Sequence, residues 1–216
     1  MHTVVVVTGG ASLAPIAIAS IPDEPTIIAA DGGLDYARAA GLEPEALVGD
    51  LDSVSAVGLA WATAHIDVHR YPADKLATDT ELAIAHALTL NPNRLVLLAG
   101  SGDRIDHTVA ALGALGAPAL DRVGVVEAWW GTDHLFLATS TRPVTLAEPA
   151  GTTFSVLAMH GPCHGVDIVG ARWPLSDADV GPLVGLGVSN QVGDEPVDIT
   201  VRDGVLTVMI PGAQPP

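Results

Sequence analysis

Residues 3–8 (TVVVVT) are almost entirely apolar and rich in β-branched side chains, and Gly9-Gly10 closes the run. An apolar run of that length without polar alternation predicts a strand buried on both faces, of the parallel kind. TIIAA at 26–30 repeats the pattern and ends at Asp31-Gly32-Gly33, and a short strand through 46–48 leads into Gly49-Asp50-Leu51-Asp52. Between these strands, LDYARAAG (34–41) has helical spacing and a terminal glycine suited to a C-cap. The pattern continues with a helix over 55–64 and a returning strand over 65–71. TDTELAIAHALTL (78–90) is the clearest helix: Thr78 and Glu81 form a T-x-x-E capping box, Leu82, Ala85, Leu88 and Leu90 supply an apolar stripe, and Asn91-Pro92 stops it. RLVLLA (94–99), the loop 100–106, a helix over 107–116 and a strand over 123–129 extend the alternation, which predicts βαβ units and a mostly parallel sheet.

After residue 140 the pattern changes. Proline and glycine become frequent, and short alternating runs appear at 153–159, 165–173, 197–201 and 204–210. Asp203-Gly204 between the last two reads as a hairpin turn. The predicted fold class is therefore α/β followed by β: a mostly parallel, Rossmann-like domain over residues 1–140, then a small antiparallel β-sandwich over 141–216.

Composition narrows the function. The formal net charge is −16, with 25 acidic against 9 basic residues, and Lys75 is the only lysine. Nucleic-acid binding needs clustered Lys and Arg, so no nucleic-acid partner is expected. Phosphate ligands stay open, because a bound divalent cation reverses the local charge. A single cysteine, Cys163, excludes an internal disulfide and fits a reducing cytosol. MHTVVVVTGG does not read as a signal peptide, and no run reaches the ~18 apolar residues of a membrane span. The expectation is a cytoplasmic protein with no membrane partner.

The carboxylates fall where strands should end. Asp31, Asp50, Asp52, Asp74, Asp79, Asp103 and Asp106 occupy four loops that an open parallel sheet brings to its carboxyl edge, together with Lys75 and Arg104. Singly, several have ordinary readings: Asp31 as a turn residue, Asp79 as a first-turn acid favoured by the helix dipole, and Asp106-His107 as a helix start. Asp50 and Asp52 are harder to explain so. In an extended segment, side chains at i and i+2 share one side, and two like charges there call for a cation. A hard ion such as Mg²⁺, which takes carboxylate oxygens plus substrate phosphates, answers that need. Gly100 and Gly102 would let backbone N–H groups approach a phosphate, with Arg104 as a forked partner, although a plain strand-to-helix turn explains the loop equally.

DGG at 31–33, GDLDS at 49–53, DKLATDTELA at 74–83, GDRIDH at 102–107, RWPL at 172–175 and GVSNQ at 187–191, in this order, resemble the thiamine pyrophosphokinase (thiamine diphosphokinase) family over nearly the whole chain. The resemblance implies an α/β domain followed by a β-sandwich. It also implies a homodimer with active sites at the subunit interface, and Mg²⁺-dependent transfer of a diphosphoryl group from ATP to thiamine, releasing AMP. It assigns magnesium to Asp31, Asp50, Asp52 and Asp79, with Asp50, Asp52 and Asp79 as the catalytic acids. Asp74, Lys75, Thr78, Gly102 and Arg104 would contact ATP. Asp106 would face thiamine, and Trp173, Ser189 and Asn190 would complete the pocket from the partner subunit. Read alone, Trp173 suits a β-domain core and Ser189-Asn190 a turn. The chain departs from the family pattern at Leu51, where Phe is common, at Asp103, and at Leu76, which stands in place of an acid. Two alternatives stay in view: a diphosphokinase for another hydroxymethyl heterocycle such as a pterin alcohol, which a similar metal-and-ATP core could serve, and, on the departures at Asp103 and Leu76, a non-catalytic thiamine- or nucleotide-binding module.

Overall fold

The computed structural model describes residues 1–101 and 104–213. The chain divides into two compact units, Met1–Leu115 with Ala128–Thr132, and Gly116–Glu127 with Asp133–Ala213.

In the first unit, strands β1 (Thr3–Val7), β2 (Thr26–Ala30), β3 (Ala46–Gly49), β4 (Asp67–Arg70) and β5 (Arg94–Ala99) are all parallel, in the order β5-β1-β2-β3-β4. Val4 to Val7 are fully buried, as a strand covered on both faces requires. Helices α1 (Pro15–Ala19), α2 (Gly33–Ala39), α3 (Ala56–His65), α4 (Asp79–Thr89) and α5 (Ile105–Ala114) alternate with the strands. The expected capping box is present on α4. Thr78 Oγ1 accepts from the Glu81 N–H at 3.2 Å, and Glu81 Oε2 accepts from the Thr78 N–H at 2.7 Å. The buried stripe of α4 has a different phase from the expected one: Ala83, Ile84, Ala87 and Leu88 are buried, while Leu90 is exposed. Two alanines let the helix approach β1, β2 and β3 closely, which larger leucines at the same positions would prevent. α5 begins at Ile105, two residues earlier than predicted.

β6 (Val125–Trp130) crosses the division between the units. The second unit holds β7 (Asp133–Ala138), β8 (Val144–Leu146), β9 (Thr153–Leu157), β10 (Cys163–Val169), β11 (Leu175–Val180), β12 (Asn190–Gln191), β13 (Val197–Asp203) and β14 (Leu206–Ile210). Two antiparallel arrays, β12-β9-β14-β7 and β11-β10-β13-β8, enclose one apolar core. Val197, Ile199 and Val201 of β13 point into it, and Asp198 and Arg202 point out. Phe154, Val156, Leu206 and Val208 fill it from the other array. This is the antiparallel β-sandwich that follows the parallel α/β sheet, as the fold class predicts. Arg142, 5% exposed, donates to the backbone carbonyls of Leu137, Leu120 and Val123 at 2.7–3.0 Å, so its buried guanidinium is satisfied by main chain. Among the described residues, no helix is long and apolar enough to cross a membrane.

The expected Asp203-Gly204 hairpin is not one. β13 pairs with β10 and β8, whereas β14 pairs with β7 and β9, so the turn carries the chain from one array to the other. Both strands alternate and both have an apolar face, so turn chemistry alone leaves their partners open. Gly204 has φ +101°, and a Cβ there would lie 2.6 Å from the Pro162 carbonyl oxygen. Gly204→Ala is expected to lower stability by about 2 kcal/mol or more, read as a fall in the urea midpoint.

His160 packs its ring against Gly116 and lies 3.4 Å from Thr207 Oγ1. Burial holds this imidazole below its ordinary 6.5, so the unfolded chain takes up its proton at higher pH than the folded one. The stabilisation is therefore present above pH 6.5 and is lost as pH falls below it. His160→Gln should flatten the decline in Tm between pH 7.5 and 5, measured against the wild-type chain.

Candidate active site

Every strand of the parallel sheet ends at the same edge, so the loops after β1, β2, β3 and β5, and the segment joining β4 to α4, converge there. A cleft of about 710 Å³ opens at that edge, and Asp31, Lys75, Thr78, Asp79, Arg104 and His107 are among the residues that line it.

Asp31 follows β2 in a left-handed turn (φ +45°), which aspartate tolerates better than most residues. Its N–H still bonds to the Val48 carbonyl at 2.9 Å, so the carboxylate is fixed at the strand end. Asp50 follows β3, and its N–H donates to Asp79 Oδ1 at 3.2 Å. Asp79 opens α4, where the helix dipole favours an acid. Each of the three offers a carboxylate oxygen within 4.8 Å of the others. Gly49 makes this crowding possible: a Cβ there would lie 2.8 Å from Asp79 Oδ1 and 3.1 Å from the Asp31 Cβ.

Lys75 is the countercharge. Its Nζ lies 2.6 Å from Asp50 Oδ2 and 3.1 Å from Asp79 Oδ1. The Lys75 ammonium, hydrogen-bonded to Asp50, holds that carboxyl below the usual carboxylate range. Burial pushes Asp31 the other way, raising it against the opposing pull of N–H groups at Gly32 and Ser53. Burial would also lower Lys75, but its bonds to Asp50 and Asp79 together raise it. Three carboxylates face one ammonium, and the donors are hard oxygens, which suits a divalent cation of the magnesium type.

Asp52 stands apart from this trio. The expectation that Asp50 and Asp52 share one side assumed an extended chain, but Leu51 has φ +69° and breaks it. A leucine in that conformation costs about 1–2 kcal/mol. Leu51 is 5% exposed and packs with Ala29, Leu34, Leu47 and Ala62, a burial of the size that offsets such a cost. Asp52 is exposed and accepts from Ser53 Oγ at 2.9 Å. The third member of the trio is Asp79, brought in from 29 residues further on.

Thr78 caps α4 at the cleft, and Asp74 is exposed beside Lys75. Arg104 Nε and Nη2 form a forked pair with Asp106 at 3.1 and 2.6 Å, both side chains exposed. The guanidinium holds the Asp106 carboxyl low. Gly102 and Asp103 lie outside the described residues.

In the second unit, Trp173 is 52% exposed and so is not the core residue that its type suggests. Arg172 Cζ lies 4.7 Å from its ring centroid. Asn190, 2% exposed, clamps the Trp173 backbone: Oδ1 accepts its N–H at 3.1 Å and Nδ2 donates to its carbonyl at 2.7 Å. Ser189 sits beside it at φ +59°, its N–H donating to Ser155 Oγ at 3.0 Å. The structure thus gathers Trp173, Ser189 and Asn190 into one feature.

Sequence reasoning passed over Ser53 and Tyr36, which also line the cleft. The Ser53 N–H reaches Asp31 Oδ1 at 3.4 Å, and Tyr36 Oη donates to the Gly10 carbonyl at 3.4 Å. The only signal was position: Ser53 directly follows Asp52, and Tyr36 lies in α2, which starts two residues after Asp31.

A family model described as the thiamin pyrophosphokinase catalytic domain matches residues 19–125, and one described as the vitamin B1 binding domain of thiamin pyrophosphokinase matches residues 143–206. No curated protein matches the chain. Thiamine pyrophosphokinase from Bacillus subtilis superposes with a TM-score of 0.81 at 20% identity, over 96% of this chain and 97% of its own. The Candida albicans enzyme gives 0.74 at 16% identity, over 96% and 89%, and the yeast enzyme 0.74 at 14%, over 96% and 86%. At these identities the likeness is one of fold.

Asn190→Ala would leave the Trp173 peptide and the Gln191 N–H without their side-chain partner. The expected loss is about 1–3 kcal/mol of stability, measured by denaturant unfolding.

Proposed function

The chain belongs to the thiamin pyrophosphokinase family, and from that premise we propose that it transfers a diphosphoryl group from ATP to the hydroxyl of thiamine, giving thiamine diphosphate and AMP. The observation that carries this reading is the carboxylate trio with its single lysine beside a cleft at the sheet's carboxyl edge, inside the segment matched by the catalytic-domain model. The hydroxyl oxygen of thiamine attacks the β-phosphorus, the bond from that phosphorus to the α,β-bridging oxygen breaks, AMP leaves and the hydroxyl proton is released. Transfer of this kind depends on positioning and charge neutralisation, not on a protein nucleophile.

Asp31, Asp50 and Asp79 would hold Mg²⁺, which would neutralise phosphate charge, and the exposed Asp52 lies outside that trio. The cationic Lys75 and Arg104 side chains suit phosphate oxygens, and Thr78 and Asp74 flank the same approach. On the acceptor side, thiamine is a cationic aromatic. The exposed face of Trp173 fits it, held by Asn190 and flanked by Ser189, and the Asp106 carboxylate adds negative charge. The working form is a homodimer in which the partner's Trp173 region completes the pocket at Asp106. Exposed Leu183, Val184, Leu186 and Val188, close in sequence to Ser189, support an interface there.

Incubation of the protein with thiamine, ATP and Mg²⁺ should yield thiamine diphosphate and AMP in equal amounts, and EDTA should abolish both. Asp50→Asn should lower turnover by roughly 100-fold or more while leaving the thermal transition intact. AMP or ADP release without thiamine diphosphate would remove thiamine as the acceptor.

A further inference from the structure

Lys75 occupies the place where positive charge is needed and lies on a segment able to move. It sits between β4 and α4, where residues 71–74 are exposed and Leu76 is fully exposed, so little packing restrains the loop. Yet its own side chain is only 11% exposed, drawn inward by Asp50 and Asp79. It makes no hydrogen bond or ion pair with Asp31, whose charged form burial disfavours. The ammonium thus neutralises two acids and leaves the third short of positive charge.

A divalent cation taking oxygens from all three acids would share the Asp50 and Asp79 carboxylates with the ammonium, and the two cations would repel at close range. Resting on the metal reading above, the geometry points to Lys75 as a displaceable countercation. In the nucleotide-free protein it competes with the divalent ion for Asp50 and Asp79. When a polyphosphate arrives with that ion, the ammonium leaves the acids for the phosphate oxygens. Lys75 then acts as a positioning residue that disfavours metal loading without nucleotide and favours loading with it. No covalent step is involved, only exchange of one cation for another on the same carboxylates.

The test is Mg²⁺ titration of the full chain by calorimetry without nucleotide, and again with a non-hydrolysable ATP analogue, on wild type, Lys75→Met, Lys75→Arg and Asp79→Asn. Without nucleotide, Lys75→Met should bind Mg²⁺ at least ~5-fold more tightly than wild type, and Lys75→Arg should stay close to wild type. Metal-free Lys75→Met should also melt lower and show the larger Mg²⁺-induced rise in Tm, which separates weaker folding from altered binding. With the analogue present, the Lys75→Met advantage should vanish or reverse. If wild type binds Mg²⁺ and Asp79→Asn does not, but Lys75→Met binds no tighter than wild type, the countercation role is overturned and the metal site stands. If wild type binds no Mg²⁺ with or without the analogue, or Asp79→Asn leaves binding unchanged, the metal reading fails and this inference fails with it.

Discussion

Three carboxylates held within 4.8 Å of one another are the constraint on which the rest of the first unit depends. Like charges at that separation repel unless a cation joins them, and the chain supplies its only lysine for the purpose. Nothing local to any one acid creates the cluster. A parallel sheet of buried β-branched strands does so, by ending β2 and β3 at one edge and returning the chain through α4 to the same place. Gly49 removes the one Cβ that would separate Asp31 from Asp79, and the Thr78–Glu81 box fixes where α4 starts and so where Asp79 stands. Stability and chemistry pull against each other here, and the buried core of valines and leucines is what lets the repulsion persist.

The second unit solves a different problem with the same means. It must hold a large aromatic side chain out in solvent without losing its orientation. Burying Asn190 and directing both ends of its amide to the Trp173 backbone achieves that, because the nearly enclosed amide is hydrogen-bonded at both ends. The sandwich core beneath is built from apolar side chains, and the buried Arg142 guanidinium in this unit is received by main-chain carbonyls.

The order of elements was legible along most of the chain. Uninterrupted apolar runs have few alternatives to a buried strand, and the T-x-x-E box states both the start of α4 and its phase at the N-terminus. Its buried face was misread because leucine is a poorer guide than alanine where a helix must lie close to a sheet: Leu82 and Leu90 drew attention from Ala83 and Ala87. The Asp50–Asp52 pair was a sound reason to look for a cation. The partner was misplaced because a left-handed leucine has no signature in sequence. Its φ is stabilised by contacts with Ala29, Leu34, Leu47 and Ala62, scattered over more than thirty positions.

By itself, the sequence determined the alternation of strands and helices, the acid-bearing strand ends, the lone lysine and the change to short alternating strands in the last third. These are local properties, written in periodicity, side-chain branching and charge. Only the tertiary structure decided which acids meet, which array each strand of the sandwich joins across Gly204, and whether Trp173 faces core or solvent. Those choices turn on packing between residues far apart in the chain, where the energy of one arrangement over another appears only when both surfaces are in contact.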